Sequence, residues 1–237
     1  MMIRLLPAIL ATLPLVLMAE SVVPDRPGFS TGTYTVSPGG WQLEAGIQHS
    51  YGRNVGDPDS YTAPLLNLRT GLTQNTELNL LWDGIQFVEG QGQDEAYVML
   101  GAKHRLIESD LYNFSLLGHL SLQEDHLTPF LGLLWDRKLT EKTGLFGTLQ
   151  VATSIDAGKR RKNFQPAIGL NFSHTDNLSS FVELYADAPL NGDRQASVFD
   201  AGLAWMVHEN LQLDFNFGLS MDSRSEDFAG FGLAIRL

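Results

Sequence analysis

Ionisable and hydroxyl-bearing side chains recur in this sequence two residues apart: His119 and Ser121, Lys103 and Arg105, Glu95 and Tyr97, and Glu183 with Tyr185 and Asp187. In an extended strand, residues two apart project from the same face. His119-Leu-Ser121 therefore has the spacing of a nucleophile with its general base. The surrounding parity points elsewhere: Asn113 and Ser115 share that face, whereas Leu116, Leu120 and Leu122 make the opposite one greasy. The six histidines show neither HExxH nor paired metal-ligand spacing, and no Walker loop, GxGxxG unit or GxSxG elbow occurs. Sequence alone brings no two carboxylates into a glycosidase-like pair. The expectation is a polar lining, with no catalytic residues, no metal site and no cofactor.

The chain has 237 residues, 27 acidic against 16 basic, and a formal net charge of −11. That balance argues against nucleic acid as a partner. Residues 1–19 read as a secretory signal peptide: Arg4 is the lone charge, an apolar run covers Leu5 to Met18, and Ala19 is the cleavage edge. Cleavage would remove one cation and no acid, leaving the remainder more acidic still. Cysteine is absent, so thiolate chemistry is excluded and an exported chain must draw its stability from a large hydrogen-bonded architecture rather than from disulfides. Beyond the signal no run of 18 or more apolar residues appears, which disfavours a helical span but not a β-barrel.

From Trp41 onward hydropathy alternates with period two. Trp41, Leu43, Ala45, Ile47, His49 and Tyr51 lie opposite Gln42, Glu44, Gly46, Gln48 and Ser50, and the run Leu211 to Met221 repeats the pattern. About twelve strands follow, near 41–51, 62–72, 76–87, 94–106, 112–122, 128–139, 144–155, 163–174, 179–188, 196–207, 211–221 and 228–237. Most have the ten to thirteen residues that a tilted strand needs to cross a bilayer, about twice the usual length in soluble sheets. Short turns at 73–76, 107–110, 140–143, 174–177 and 208–211 alternate with longer polar loops. Asn75, Asp110, Lys142, Asn177 and Asn210 mark one hairpin about every 34 residues, and GLTQNTEL (71–78) echoes KLTEKTGL (138–145). The fold class expected is all-β: an antiparallel up-and-down transmembrane β-barrel of residues 41–237, with short periplasmic turns and longer outer loops. Trp41, Trp135 and Trp205 then fall near the periplasmic ends of outward faces, and Tyr51, Tyr61, Phe87 and Phe199 near the outer ends.

On this threading Glu44, Glu77, Asp83, Glu95, Asp136, Glu183, Asp187, Asp200 and Asp214 face inward, with Arg69, Lys103, Arg105, Lys138 and Arg236 among them. Tyr97, Tyr185 and several amides complete a polar lining. Charges on the lipid side are expensive, so parity sends them to the lumen. Two readings follow: a narrow passage whose acidic excess favours cations or neutral solutes, or a lumen shut by a salt-bridged network in a structural or surface-interaction barrel.

Two stretches carry a resemblance. DRPGFSTGTYTVSPGGWQLEAGIQHSY (25–51) resembles the opening of the exported outer-membrane transporters of the meta-pathway of phenol degradation, through Asp25, Arg26, Pro27, Pro38, Gly39, Gln42, Leu43, Glu44 and Gly46. LNLRTGLTQNTELNL (66–80) is similar to that family's second hairpin, and thereafter the likeness is architectural only. The resemblance implies an outer-membrane barrel that passes small hydrophobic or aromatic molecules. The terminal strand FAGFGLAIRL alternates in the way that exported barrels commonly end and that their assembly machinery reads, although Leu237 stands where an aromatic residue is usual.

Residues 20–40 contain Pro24, Pro27, Pro38 and four glycines, which disfavours helix and interior strand. This segment either enters the lumen as a plug, with Asp25, Arg26 and Pro27 leading, or hangs in the periplasm. Lys159, Arg160, Arg161 and Lys162 form a basic cluster assigned to an outer loop, solvated or in contact with the phosphates of lipopolysaccharide. The partners expected are outer-membrane lipids and lipopolysaccharide, the assembly machinery and a small-molecule solute.

Overall fold

The computed structural model describes residues 21–54, 57–90, 92–93, 96–123, 126–156, 159–190, 195–222 and 225–237. The signal peptide and Glu95, named above, lie outside the described residues. The strands are β1 (Trp41–Tyr51), β2 (Ser60–Thr73), β3 (Thr76–Trp82), β4 (Ile85–Val88), β5 (Gly92–Gln93), β6 (Val98–Ile107), β7 (Tyr112–Gln123), β8 (His126–Lys138), β9 (Thr143–Asp156), β10 (Lys159–Ser173), β11 (Leu178–Pro189), β12 (Ala196–His208), β13 (Leu211–Ser220) and β14 (Asp227–Arg236). All pairings between them are antiparallel, and β1 bonds to both β2 and β14, so the sheet closes on itself. With β3 and β4 as two halves of one wall strand and β5 a two-residue addition, the barrel has twelve strands.

The distribution of side chains is inverted relative to a water-soluble domain. Arg69, Lys103, Glu44, Glu77, Glu183 and Asp200 are buried, whereas Leu80, Leu100, Leu120, Leu131, Phe215 and Phe231 are exposed. Lipid dissolves such a surface and water does not, and closure of the barrel leaves no unpaired strand edge in the hydrocarbon. Trp41 and Trp205 are exposed near the short-turn end, and Tyr51, Tyr61 and Phe87 near the long-loop end. No helix among the described residues is long and apolar enough to cross a membrane.

Three local features differ from the expected strands. The segment 76–87 breaks after Trp82: Gly84 takes a φ of 82°, and Asp83 Oδ1 accepts the Tyr97 N–H at 2.6 Å. Beyond the break β4 pairs with β2 and β5 rather than with β6. Second, β6 begins at Val98 instead of 94. Third, the basic cluster is not a loop. Lys159 to Lys162 open β10 and pair with Asp156 to Thr153, because a hairpin stem that rises clear of the bilayer tolerates charges on either face. The outward-facing members, Arg160 and Lys162, precede Phe164 and Ile168 on the lipid-side parity.

Candidate functional site

The barrel interior holds the N-terminal segment, which enters at the short-turn end, crosses the lumen and returns to the same end to begin β1. The Val22 N–H bonds the Glu209 carbonyl in the β12–β13 turn at 2.8 Å. Val23 then exchanges hydrogen bonds with the Gln42 amide, at 3.0 and 3.1 Å, and the Asp25 N–H donates to the Glu44 carboxylate at 3.1 Å. Pro27 to Phe29 form the deepest part, where the Phe29 ring stacks on Tyr185 with centroids 4.1 Å apart. On the way back the N–H groups of Phe29 and Ser30 donate to Glu183 at 2.9 and 3.1 Å, and the Thr33 hydroxyl bonds Asp136. Ser115 Oγ donates to the Thr33 carbonyl at 2.6 Å, and the Val36 N–H to Glu77 at 2.7 Å. Finally the Gly39 N–H bonds the Gly71 carbonyl at 2.9 Å.

Prolines and glycines explain this path. A segment that cannot join a ladder leaves its N–H groups to be met by side chains, and the wall supplies carboxylates and amides at the inward positions of alternate strands. The wall also makes room. Gly46 and Gly232 are cross-strand partners on β1 and β14, and a β-carbon on either would collide with the Arg26 guanidinium. Their flat backbone forms a slot in which Arg26 bonds Asp214, at 3.3 Å through Nε and 3.2 Å through Nη2. At Gly71 a β-carbon would strike the carbonyls of Val36 and Ser37. At Gly71 glycine is required because main chain passes directly over the wall, whereas at Gly46 and Gly232 it makes room for the end of the Arg26 side chain.

The centre is an ion cluster. Arg69, fully buried, donates Nε and Nη2 to Glu77 at 2.9 Å each and Nη1 to Glu44 at 2.8 Å, and lies 3.3 Å from Asp25. Lys103, equally buried, reaches Asp25 at 2.6 Å and Glu77 at 3.5 Å, and also donates to the carbonyls of Gly32 and Tyr34. Two wall acids and two wall bases balance, and Asp25 of the segment brings the extra negative charge. Bidentate geometry and full hydrogen bonding are what let such a cluster exist in a low-dielectric interior.

Most remaining candidates line the same interior. Arg105, near the short-turn end, bonds the Thr35 hydroxyl at 3.0 Å and Glu108, and Asp136 also accepts from Asn113 at 2.8 Å. Glu183 and Asp200 are cross-strand neighbours on β11 and β12. Asp187 is partly buried near the long-loop end of β11, and Arg236 approaches Gly40. Asp83 and Tyr97 meet at the wall break rather than in the ion cluster. Lys138 is corrected: it sits at the exposed end of β8, paired with Glu141 at 2.9 Å, because the strand has left the lumen there. His119 lies inside, stacked on Phe130, but among the described residues neither its Nε2 nor Ser121 Oγ has a hydrogen-bonding partner, so the two do not make a nucleophile–base contact with each other. No cluster of three metal-ligating side chains occurs among the described residues. Gln42 and Gly46 entered the sequence analysis as members of the polar face and of the resemblance, without a role against the segment, and Gly232, Gly71 and Thr33 were not singled out; a glycine at an inward position of an otherwise regular strand was the available signal.

The segment divides the interior. Toward the short turns a cavity of about 490 Å³ lies between Ser30–Tyr34 and the turns carrying Asp110 and Glu141. Toward the long loops a second, of about 380 Å³, rests on Pro27–Phe29.

No protein-family model matches the sequence, and no curated protein is similar to it. Its fold, however, is shared by solved structures. An outer-membrane channel from Pseudomonas putida F1 superposes with a TM-score of 0.66 at 14% identity, covering 90% of this chain and 99% of that one. The NanC porin gives 0.62 at 8% identity, with 83% and 100% coverage. The CymD monoaromatic hydrocarbon channel gives 0.53 at 7%, with 84% and 89% coverage. The chain thus has the closed-barrel fold of outer-membrane channels.

Proposed function

We propose that the protein is a passive outer-membrane channel for small molecules, held shut by residues 21–40. The observation that carries this reading is how the segment is held. It is not a strand of the barrel: its attachments are largely side chain to backbone, so it can leave without breaking the wall. No nucleotide-binding motif is evident in the sequence, and the solute gradient would drive passage. The resemblance of residues 25–51 to transporters of the phenol meta-pathway, and the occurrence of the same fold in a monoaromatic hydrocarbon channel, support hydrophobic or aromatic cargo. Lipopolysaccharide would contact the basic stem of β10.

Planar-bilayer conductance of the refolded full chain, compared with a chain lacking residues 21–38, tests the reading. A steady conductance opened by the deletion is the expected result. Silence of both proteins, each correctly folded, would refute it. A second reading, a permanently closed structural barrel, is favoured by the complete bonding of Arg69, and that silence is its signature.

A further inference from the structure

The cavity on the long-loop side has a lining that the channel reading does not explain. At about 380 Å³ it lies at the small end of ligand pockets, which span about 300–1,000 Å³. Three aromatic side chains contribute to it: Phe29 and Tyr185, stacked on each other, and Phe228. The charged members among its described lining residues are Asp200 and Glu226, both acids. Asp200 is only 1% exposed. Its Oδ1 takes one long bond, 3.4 Å, from Asn216, and the N–H groups of Ala201 and Phe29 lie near the carboxylate, but among the described residues Oδ2 accepts no bond of normal geometry and no cation pairs with it. Its cross-strand neighbour is another carboxylate, Glu183, already bonded to the N–H groups of Phe29 and Ser30. Of the lumen's other buried carboxylates, Glu44, Glu77 and Asp214 each have a cation within bonding distance and Glu183 has two backbone N–H donors at 2.9 and 3.1 Å, so Asp200 is the one held most weakly among the described residues.

An unmatched carboxylate in a buried site is costly, and aromatic faces attract cations through their quadrupole. We infer that this cavity is a capture site for a small organic cation carrying one flat ring, an arylalkyl ammonium or its cyclic equivalent. The ammonium N–H donates to Asp200 Oδ2 and the ring packs among Phe29, Tyr185 and Phe228. Because the floor is the Pro27–Phe29 turn, the site is the last station before the gate, and in that sense it rests on the channel reading.

The test uses the refolded full chain in detergent and isothermal titration with benzylammonium, benzyl alcohol and phenylacetate, which share a ring and differ in charge. The expected order is benzylammonium tightest, benzyl alcohol weaker by at least about tenfold, and phenylacetate without measurable binding. Asp200→Asn should bring benzylammonium down to the level of benzyl alcohol and leave benzyl alcohol unchanged. Equal affinities for the ammonium and the alcohol in the unmodified protein would overturn the inference, as would no binding of either or an unchanged Asp200→Asn. If that variant does not fold, the comparison among the three probes still decides. Liposome swelling on the same protein separates this claim from the channel itself: charge-selective binding without flux of any solute leaves the site and removes the channel, whereas flux without charge-selective binding does the reverse.

Discussion

Replacing Arg26 by alanine should release the N-terminal segment from the lumen without unfolding the barrel. Its guanidinium fills the slot over Gly46 and Gly232 and gives Asp214 both of its charge-assisted bonds, at 3.3 and 3.2 Å and onto one oxygen. The Asp214 side chain is 0% exposed and that of Arg26 17%. Removing one partner of a buried pair costs about 3–5 kcal/mol. Long bonds that share one acceptor, on an arginine with some exposure, place this case nearer 2–3 kcal/mol. The cost falls on the closed state alone, because water hydrates Asp214 once the segment has left. The ratio of open to closed should therefore rise roughly 30- to 150-fold. The chain has no cysteine, so a single Ser30→Cys, at a residue 9% exposed, reports opening through its rate of modification by a membrane-impermeant thiol reagent. Open probability in planar bilayers gives a second reading of the same ratio. Asp214→Asn in the Arg26→Ala background removes the orphaned charge and should restore much of the closure. Unchanged labelling and open probability in Arg26→Ala, with heat-modifiable gel migration intact, would refute the reasoning.

Arg69→Met leaves Glu44, Glu77 and Asp25 facing Lys103 alone; by the cost of breaking a buried pair the barrel should lose about 3–5 kcal/mol and refold poorly in a urea titration, with Arg69→Lys intermediate, and an unshifted midpoint would count against the cluster. At the outer rim the Gly52 N–H, 2.7 Å from Asp59, holds that carboxyl below the usual aspartate range, with His49 adding to the effect. A depressed folded-state value means that the tether between Gly52 and Asp59 is complete above an ordinary carboxyl's range and is lost only as pH falls through the lower value. The Gly52 amide resonance should therefore titrate below about pH 3.9, and a midpoint at or above that value would contradict the bond. Arg160→Gln with Lys162→Gln, on the lipid-side parity of β10, should weaken binding to lipopolysaccharide vesicles more than the same change at Lys159 and Arg161, while conductance stays as it was. Equal losses would show that the stem acts as an undirected charge.

Most of the wall was legible because lipid enforces it. Where one face must be apolar and the other polar, a slip of one residue would turn Glu44, Arg69 or Asp214 into hydrocarbon, so period-two alternation fixes parity along whole strands. The break at Trp82 escaped that logic, since alternation measures facing and not pairing, and the positive φ of Gly84 leaves no trace in a hydropathy pattern. The basic stem of β10 was misassigned for the opposite reason: outside the bilayer nothing forbids charge, so Lys159 to Lys162 can continue a ladder as readily as end it. The site was legible as a list of inward charges and not as an arrangement. Which acid meets which base depends on shear and on the path of residues 21–40, and neither is periodic. Two facts bridge that gap. The segment's prolines and glycines deny it a ladder of its own, so its N–H groups must seek side chains. The wall's inward glycines, Gly46, Gly71 and Gly232, mark where it passes. A barrel whose lumen merely needed filling could do so with bulky side chains at those positions; one that leaves flat backbone under a side chain carried by the segment, such as Arg26, keeps the occupant separable from the wall, which is the property a gate requires.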